Sequence, residues 1–192
     1  MWLKNMNTQT QSNRERIIKV AYQLFYTKGY NQTSFADVAN ELGISKGNLH
    51  YHFPSKGALL NTVIALRKQQ IIEMFAQWDG EFSDAKDRLK RFIQMMINNE
   101  ANLVRYGCPL GSLNVELGKD QRDLQGMSRE MFDLYQHWLE KVFTQLDSKK
   151  SKARSLHLLS MTQGTAMMTY IYSDSKLLKD ECNAINEWID SL

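Results

Sequence analysis

A chain of 192 residues, 43% of them hydrophobic, is long enough to bury a core and too apolar for global disorder. Two prolines, Pro54 and Pro109, argue against a turn-rich β fold, and two cysteines give neither a disulfide framework nor a zinc pattern. The net charge of +3 is unevenly spread: residues 1–60 hold seven Lys/Arg against three Asp/Glu, the remainder seventeen against eighteen, which points to a polyanionic partner for the first part only.

The polar start, Met1 to Gln11, reads as a loose arm without a stretch for a secretory signal, and no apolar run nears the roughly 20 residues that span a bilayer. A cytoplasmic protein without a membrane partner is expected. Ser12 and Glu15 stand at capping-box spacing, and Ile17, Val20, Ala21, Leu24 and Phe25 recur at helical spacing as far as Gly29. A second helix is predicted over Phe35–Leu42, capped by Thr33 or Ser34 and closed by Gly43. Ser45 caps a third, from Lys46 to about Phe53, which Pro54 stops. A long fourth helix runs from about Lys56 to Trp78, with Gly80 breaking the pattern. Helices follow from Ser83 to about Val104, a short one over Ser112–Leu117, then Arg122–Leu146, Ala153–Tyr172 and Lys179–Ile189. The fold class is all-α. Residues 1–60 form a three-helix helix-turn-helix domain, and the long fourth helix joins it to a helical bundle, 61–192.

Two helices joined by Gly43-Ile44-Ser45 make the helix-turn-helix. Phe35, Val38, Ala39, Leu42 and Ile44 should pack inward, with Leu49 and Phe53 from the second helix. That leaves Lys46, Gly47, Asn48, His50, Tyr51 and His52 facing outward, on a helix slim enough for a major groove about 12 Å wide. Asn48 matches the edge of adenine. For Lys46 a contact to guanine, a phosphate contact and plain solvation all stay open.

The stretch from Thr33-Ser34-Phe35-Ala36-Asp37-Val38 through Gly43-Ile44-Ser45-Lys46-Gly47-Asn48 to Phe53-Pro54-Ser55-Lys56-Gly57 resembles the DNA-binding domain of TetR-type repressors, and with the first helix the resemblance covers about residues 12–60. It implies a homodimer that represses transcription at a double-stranded DNA operator and a C-terminal domain that binds a small-molecule effector. It also implies that Thr33, Ser45, His52 and Lys56 contact phosphates while Lys46, Gly47, Asn48 and Tyr51 face bases. Ser34 completes the candidate set. His50 stands where the family usually has tyrosine.

In the C-terminal part, Phe92, Met95, Met96, Met131, Tyr135 and Trp138 come from two helices expected to face each other. Methionines and aromatics suit an adaptable apolar effector pocket, and ordinary core is the alternative. Cys108 joins these candidates. It lies just before a helix N-terminus with Arg105 nearby, an arrangement that favours thiolate, so a reactive thiol is weighed against core packing. Gly-Cys-Pro-Leu-Gly also resembles a turn in a subset of TetR-type regulators, some responsive to electrophiles or oxidants. The last two helices carry Leu156, Leu159, Met167, Tyr170 and Ile171, then Ile185, Trp188 and Ile189. In the family that pair of helices forms the subunit interface. His137 and His157 are expected on the surface or in the core. No metal spacing, cofactor motif, glycine-rich phosphate loop or nucleophile–base pair appears, which argues against an enzyme. A DNA-binding adaptor or activator whose C-terminal part holds a protein partner is the second reading.

Overall fold

Six helices among the described residues begin where a side chain, Ser12, Ser34, Ser45, Ser55, Asp84 or Asp174, accepts from a first-turn amide. A computed structural model describes residues 12–192; the predicted N-terminal arm lies outside them. Ten helices and no strand occur among the described residues: α1 (Asn13–Thr27), α2 (Phe35–Leu42), α3 (Lys46–His52), α4 (Lys56–Glu81), α5 (Ala85–Asn98), α6 (Glu100–Tyr106), α7 (Pro109–Asp120), α8 (Arg122–Thr144), α9 (Ser151–Tyr172) and α10 (Ser175–Asp190). The expected all-α class is thus the observed one.

Ser12 and Glu15 form the predicted capping box at α1, with bonds of 3.3 and 3.0 Å. At α2 the cap is Ser34, and Asp37 completes a second box. Gly43 ends α2 in the left-handed region, φ 66° and ψ 32°, which a glycine adopts without steric cost.

Several boundaries differ from the predicted ones, four of them with a local cause. Gly80 stays inside α4, exposed in its last turn, since one glycine costs a helix only about 1 kcal/mol. The helix expected to reach Val104 breaks at Asn99, whose backbone leaves the helical region at φ −111° and ψ 17°. Pro109 opens α7 three residues earlier than expected, in the first turn, where its missing N–H costs nothing. Asp174, overlooked as a cap, starts α10 at Ser175 by accepting from Lys176 at 2.7 Å and Leu177 at 3.3 Å.

The chain divides into two compact units. One takes it as far as Gln69 together with Ser112–Glu130; the other holds Gln70–Gly111 and Met131–Leu192. In the first, Ile17, Ala21 and Phe25 of α1, Val38 and Ala39 of α2, Leu49 of α3 and Leu59, Leu60 and Ile64 of α4 are buried. In the second, α10 packs on α5 and α9, and Phe75 stacks on Trp138 at 4.5 Å between ring centroids, with Trp78 and Tyr135 edge-on to it. Arg88, buried in the same unit, pairs with Asp79 at 3.3 Å and donates to Gln145 at 2.6 Å. No described helix is long and apolar enough to cross a membrane.

Candidate nucleic-acid interface

α3 is held from behind and left open in front. Its Leu49 is fully buried and Phe53, its C-cap, nearly so, while Lys46, Gly47, Asn48, His50 and Tyr51 are exposed; Tyr51 reaches 86%. Seven residues span about 10 Å, so the helix presents two turns and little else. Ser45 takes the N-cap with extended backbone and accepts from the Asn48 N–H at 3.2 Å. That bond fixes the first turn, where Lys46 and Asn48 project. Gly47 has only the Ser45 Oγ, at 3.8 Å, near the place of a Cβ, so its backbone is approachable.

The aromatic part of α3 is ordered by ring contacts. Tyr51 and the half-buried His52 meet edge to face at 5.2 Å, and the His50 ring lies 4.8 Å from Phe35 of α2. His50 therefore keeps one face on α2 and remains exposed. Arg14 of α1 lies over the Phe53 ring at 5.2 Å, which brings a further cation beside the end of α3.

Two of the residues expected at phosphates are placed otherwise. Thr33 is buried, at 1% exposure, and its hydroxyl donates to the Gly29 carbonyl at 2.7 Å, with Leu24 O at 3.3 Å. It shapes the α1–α2 turn rather than offering a hydroxyl to a phosphate, a correction to the expected contact. Lys56 is half-buried; its ammonium donates to Tyr30 O at 2.9 Å and Thr33 O at 3.0 Å and lies 4.3 Å over the Tyr30 ring. Burial pulls its pKa below the usual lysine value, and the Glu116 carboxylate opposes that shift. Ser34 is exposed and committed to the α2 cap. Asp37 accepts from both the hydroxyl and the N–H of Ser34, which holds its carboxyl down at about 2.

The effector-pocket candidates fall in the second unit. Phe92, Met96, Met131, Tyr135 and Trp138 are buried together with Phe75 and Trp78, and the Tyr135 hydroxyl reaches the half-buried Met95 sulfur at 4.0 Å. Phe75 and Trp78, three residues apart on α4, escaped the sequence reading although their spacing marks one helix face. Cys108 stands just before α7. Its sulfur accepts from the Gly111 N–H at 3.4 Å, with Gln163 beside it. Burial pushes the Cys108 thiol up, and the bonds from Gly111, Leu110 and Gln163 only partly offset it. The expected preference for thiolate is therefore reversed. Arg105, expected to help, lies over the Tyr106 ring at 5.2 Å.

Among the interface candidates, Leu159, Ile185 and Ile189 are buried within their own chain, and Trp188 leans on His157 at 5.3 Å and Phe143 at 6.0 Å. Trp188 remains partly exposed in the single chain. Leu156 and Met167 are exposed on α9, as are Met168, Tyr170, Ile171 and Tyr172.

Residues 17–63 match the model of the family of bacterial regulatory proteins called tetR. An uncharacterized HTH-type transcriptional regulator from the lacX 3′ region of Lactococcus lactis subsp. lactis is 24% identical over 177 residues, 88% of this chain and 89% of that protein. The crystal structure of a TetR transcriptional regulator from Legionella pneumophila is similar at a TM-score of 0.84 and 26% identity, covering 97% of this chain and 98% of that one. FadR from Bacillus subtilis, solved in complex with stearoyl-CoA, shares the fold at a TM-score of 0.70 and 20% identity, covering 91% and 96%.

Proposed function

From the premise that the chain belongs to the TetR family of transcriptional regulators, we propose that it is a repressor that binds a pseudo-palindromic operator as a homodimer and leaves it when a signal is sensed in its C-terminal domain. Residues 1–60 would bind DNA, and 61–192 would hold the effector and the partner subunit. The observation that carries this reading is α3: its inner residues, Leu49 and Phe53, are buried, and its outer face is exposed from Lys46 to Tyr51. A helix so supported can enter a major groove without unfolding anything. Lys46 and Asn48 are the base-reading residues, with Gly47 and Tyr51 beside them and His50, His52 and Ser45 turned to the backbone. Lys56 acts from behind by holding the turn. A cytoplasmic location follows from this role.

The effector is a small molecule of largely apolar character. The buried cluster of aromatic and methionine side chains in the second unit supports that, as does FadR, which has the same fold and holds stearoyl-CoA. The effector would act by favouring a spacing of the two reading heads that no longer matches the half-sites.

Selection of duplexes from a random library by the full-length protein tests the reading. Enrichment of a two-fold-symmetric sequence is expected, with half-sites about one helical turn apart. Failure to enrich any sequence, at salt low enough for phosphate contacts, would overturn it.

A further inference from the structure

Between α1 and α2 the chain makes a turn that is bonded to three distant side chains. Gly29 has φ +91°, and the next two amides, those of Tyr30 and Asn31, converge on one carboxylate. Glu116 of α7 accepts from Tyr30 N at 2.9 Å and from Asn31 N at 2.6 Å. Successive N–H groups after a residue of positive φ form a concave anion site, and here the anion is a side chain of the same protein. The Gln121 amide donates to Asn31 Oδ1 at 2.8 Å. Lys56 holds the carbonyls of Tyr30 and Thr33 from the other direction. The fit is close: a Cβ at Gly29 would stand 3.2 Å from both Glu116 oxygens.

The turn ends at Thr33, and Ser34 caps α2, which leads through Gly43 to α3. Whatever fixes Gly29–Thr33 therefore fixes where α2 starts. We propose that Glu116 is a positioning residue for DNA recognition: by clamping Tyr30 and Asn31 it sets the helix-turn-helix. This inference rests on the DNA-binding reading above and names a residue on which that reading depends. Glu116 is not a base or phosphate contact; its effect passes through the turn.

The test uses the full chain and the duplex that the wild type selects from a random library. Glu116→Gln keeps size and removes charge; Gly29→Ala puts a methyl group into the clamp. Both should bind the selected duplex about ten-fold or more weakly, since the first removes the charge and one of the two acceptors and the second crowds the carboxylate, while affinity for a scrambled duplex, set by phosphate contacts, stays within about two-fold. In Glu116→Gln, amide exchange should speed up at Tyr30 and Asn31 and stay unchanged at Leu49. If Gly29→Ala does not fold, Glu116→Gln carries the test. A Glu116→Gln protein that binds the selected duplex like wild type, or loses selected and scrambled duplexes equally, overturns the proposal alone. A wild type that selects no duplex overturns the DNA-binding reading and this inference with it.

Discussion

Asn48 and Lys56 are polar residues from the same stretch of sequence, and their surroundings give them different tasks. Asn48 is exposed in the first turn of α3; Lys56 is half-buried and spends two of its donors on the carbonyls of Tyr30 and Thr33. Asn48→Ala should weaken binding to the selected duplex by about 1–3 kcal/mol, the worth of a bidentate base contact, and leave scrambled DNA unaffected. Lys56→Ala should weaken binding to the selected duplex and lower the melting temperature as well, because it frees the turn that Glu116 also holds. Anisotropy titrations on both duplexes, with a thermal melt of each variant, separate the two; equal affinity of wild type and Asn48→Ala for the selected duplex would remove Asn48 from base reading. The cysteines show the same dependence on surroundings. Burial pushes Cys182 up to about 11 and Cys108 above its ordinary value. Near neutral pH both should be thiols, and iodoacetamide should label neither until the protein is unfolded. Rapid labelling of Cys108 in the native protein, followed by mass spectrometry, would instead return it to the reactive class.

At the scale of helices, the α2 capping box makes a pH-dependent prediction. Asp37 titrates at about 2 in the folded protein against an ordinary 3.8, chiefly because Ser34 donates to it. A depressed carboxyl stabilises the fold above its ordinary pKa, and that contribution fades as pH falls from about 4 through about 2. Wild type should therefore melt above Asp37→Asn at pH 5 to 7, and the gap should close by about pH 2; a gap constant across that range would assign it to something other than the charge. The box was half legible in the sequence: Ser34 and Asp37 stand three apart, but Thr33 beside them is an equally good cap by type, and only its burial against Gly29 O rules it out. Helices α1 to α3 were legible because caps, glycines and apolar spacing agree there. The α5–α6 break and the true start of α7 were not, since Asn99 and Pro109 each permit more than one local structure. Glu116 was invisible for a different reason. Its partners are backbone amides 85 and 86 residues away, and no side-chain pattern records a backbone donor.

For the whole molecule the open question is which surface meets a second copy. Apolar periodicity shows that a residue is covered, and says nothing of whether its own chain or a partner covers it. Here the two cases separate. Ile189 is fully buried and Ile185 nearly so, whereas Leu156, Met167 and Ile171 are more than half exposed on α9. Leu156, Ser160, Gly164, Met167 and Ile171 follow one another at steps of four, four, three and four, so they share one side of the helix. All five are exposed, and nothing lies within 4 Å of a Cβ built at Gly164. In a two-fold dimer the same patch faces itself, and a small residue amid larger ones lets two helices approach closely. The dimer we propose should therefore break at α9 before it breaks at Ile189. Met167→Glu places a charge where the lone chain is open, so the protein should keep its helical signal and melting temperature, sediment as a monomer, and lose operator affinity steeply, since each subunit then reads one half-site. Ile189→Glu buries a charge in the chain's own core and should lose the fold itself. Sedimentation and circular dichroism on both variants decide the matter. A Met167→Glu protein that remains a dimer would move the interface away from this side of α9.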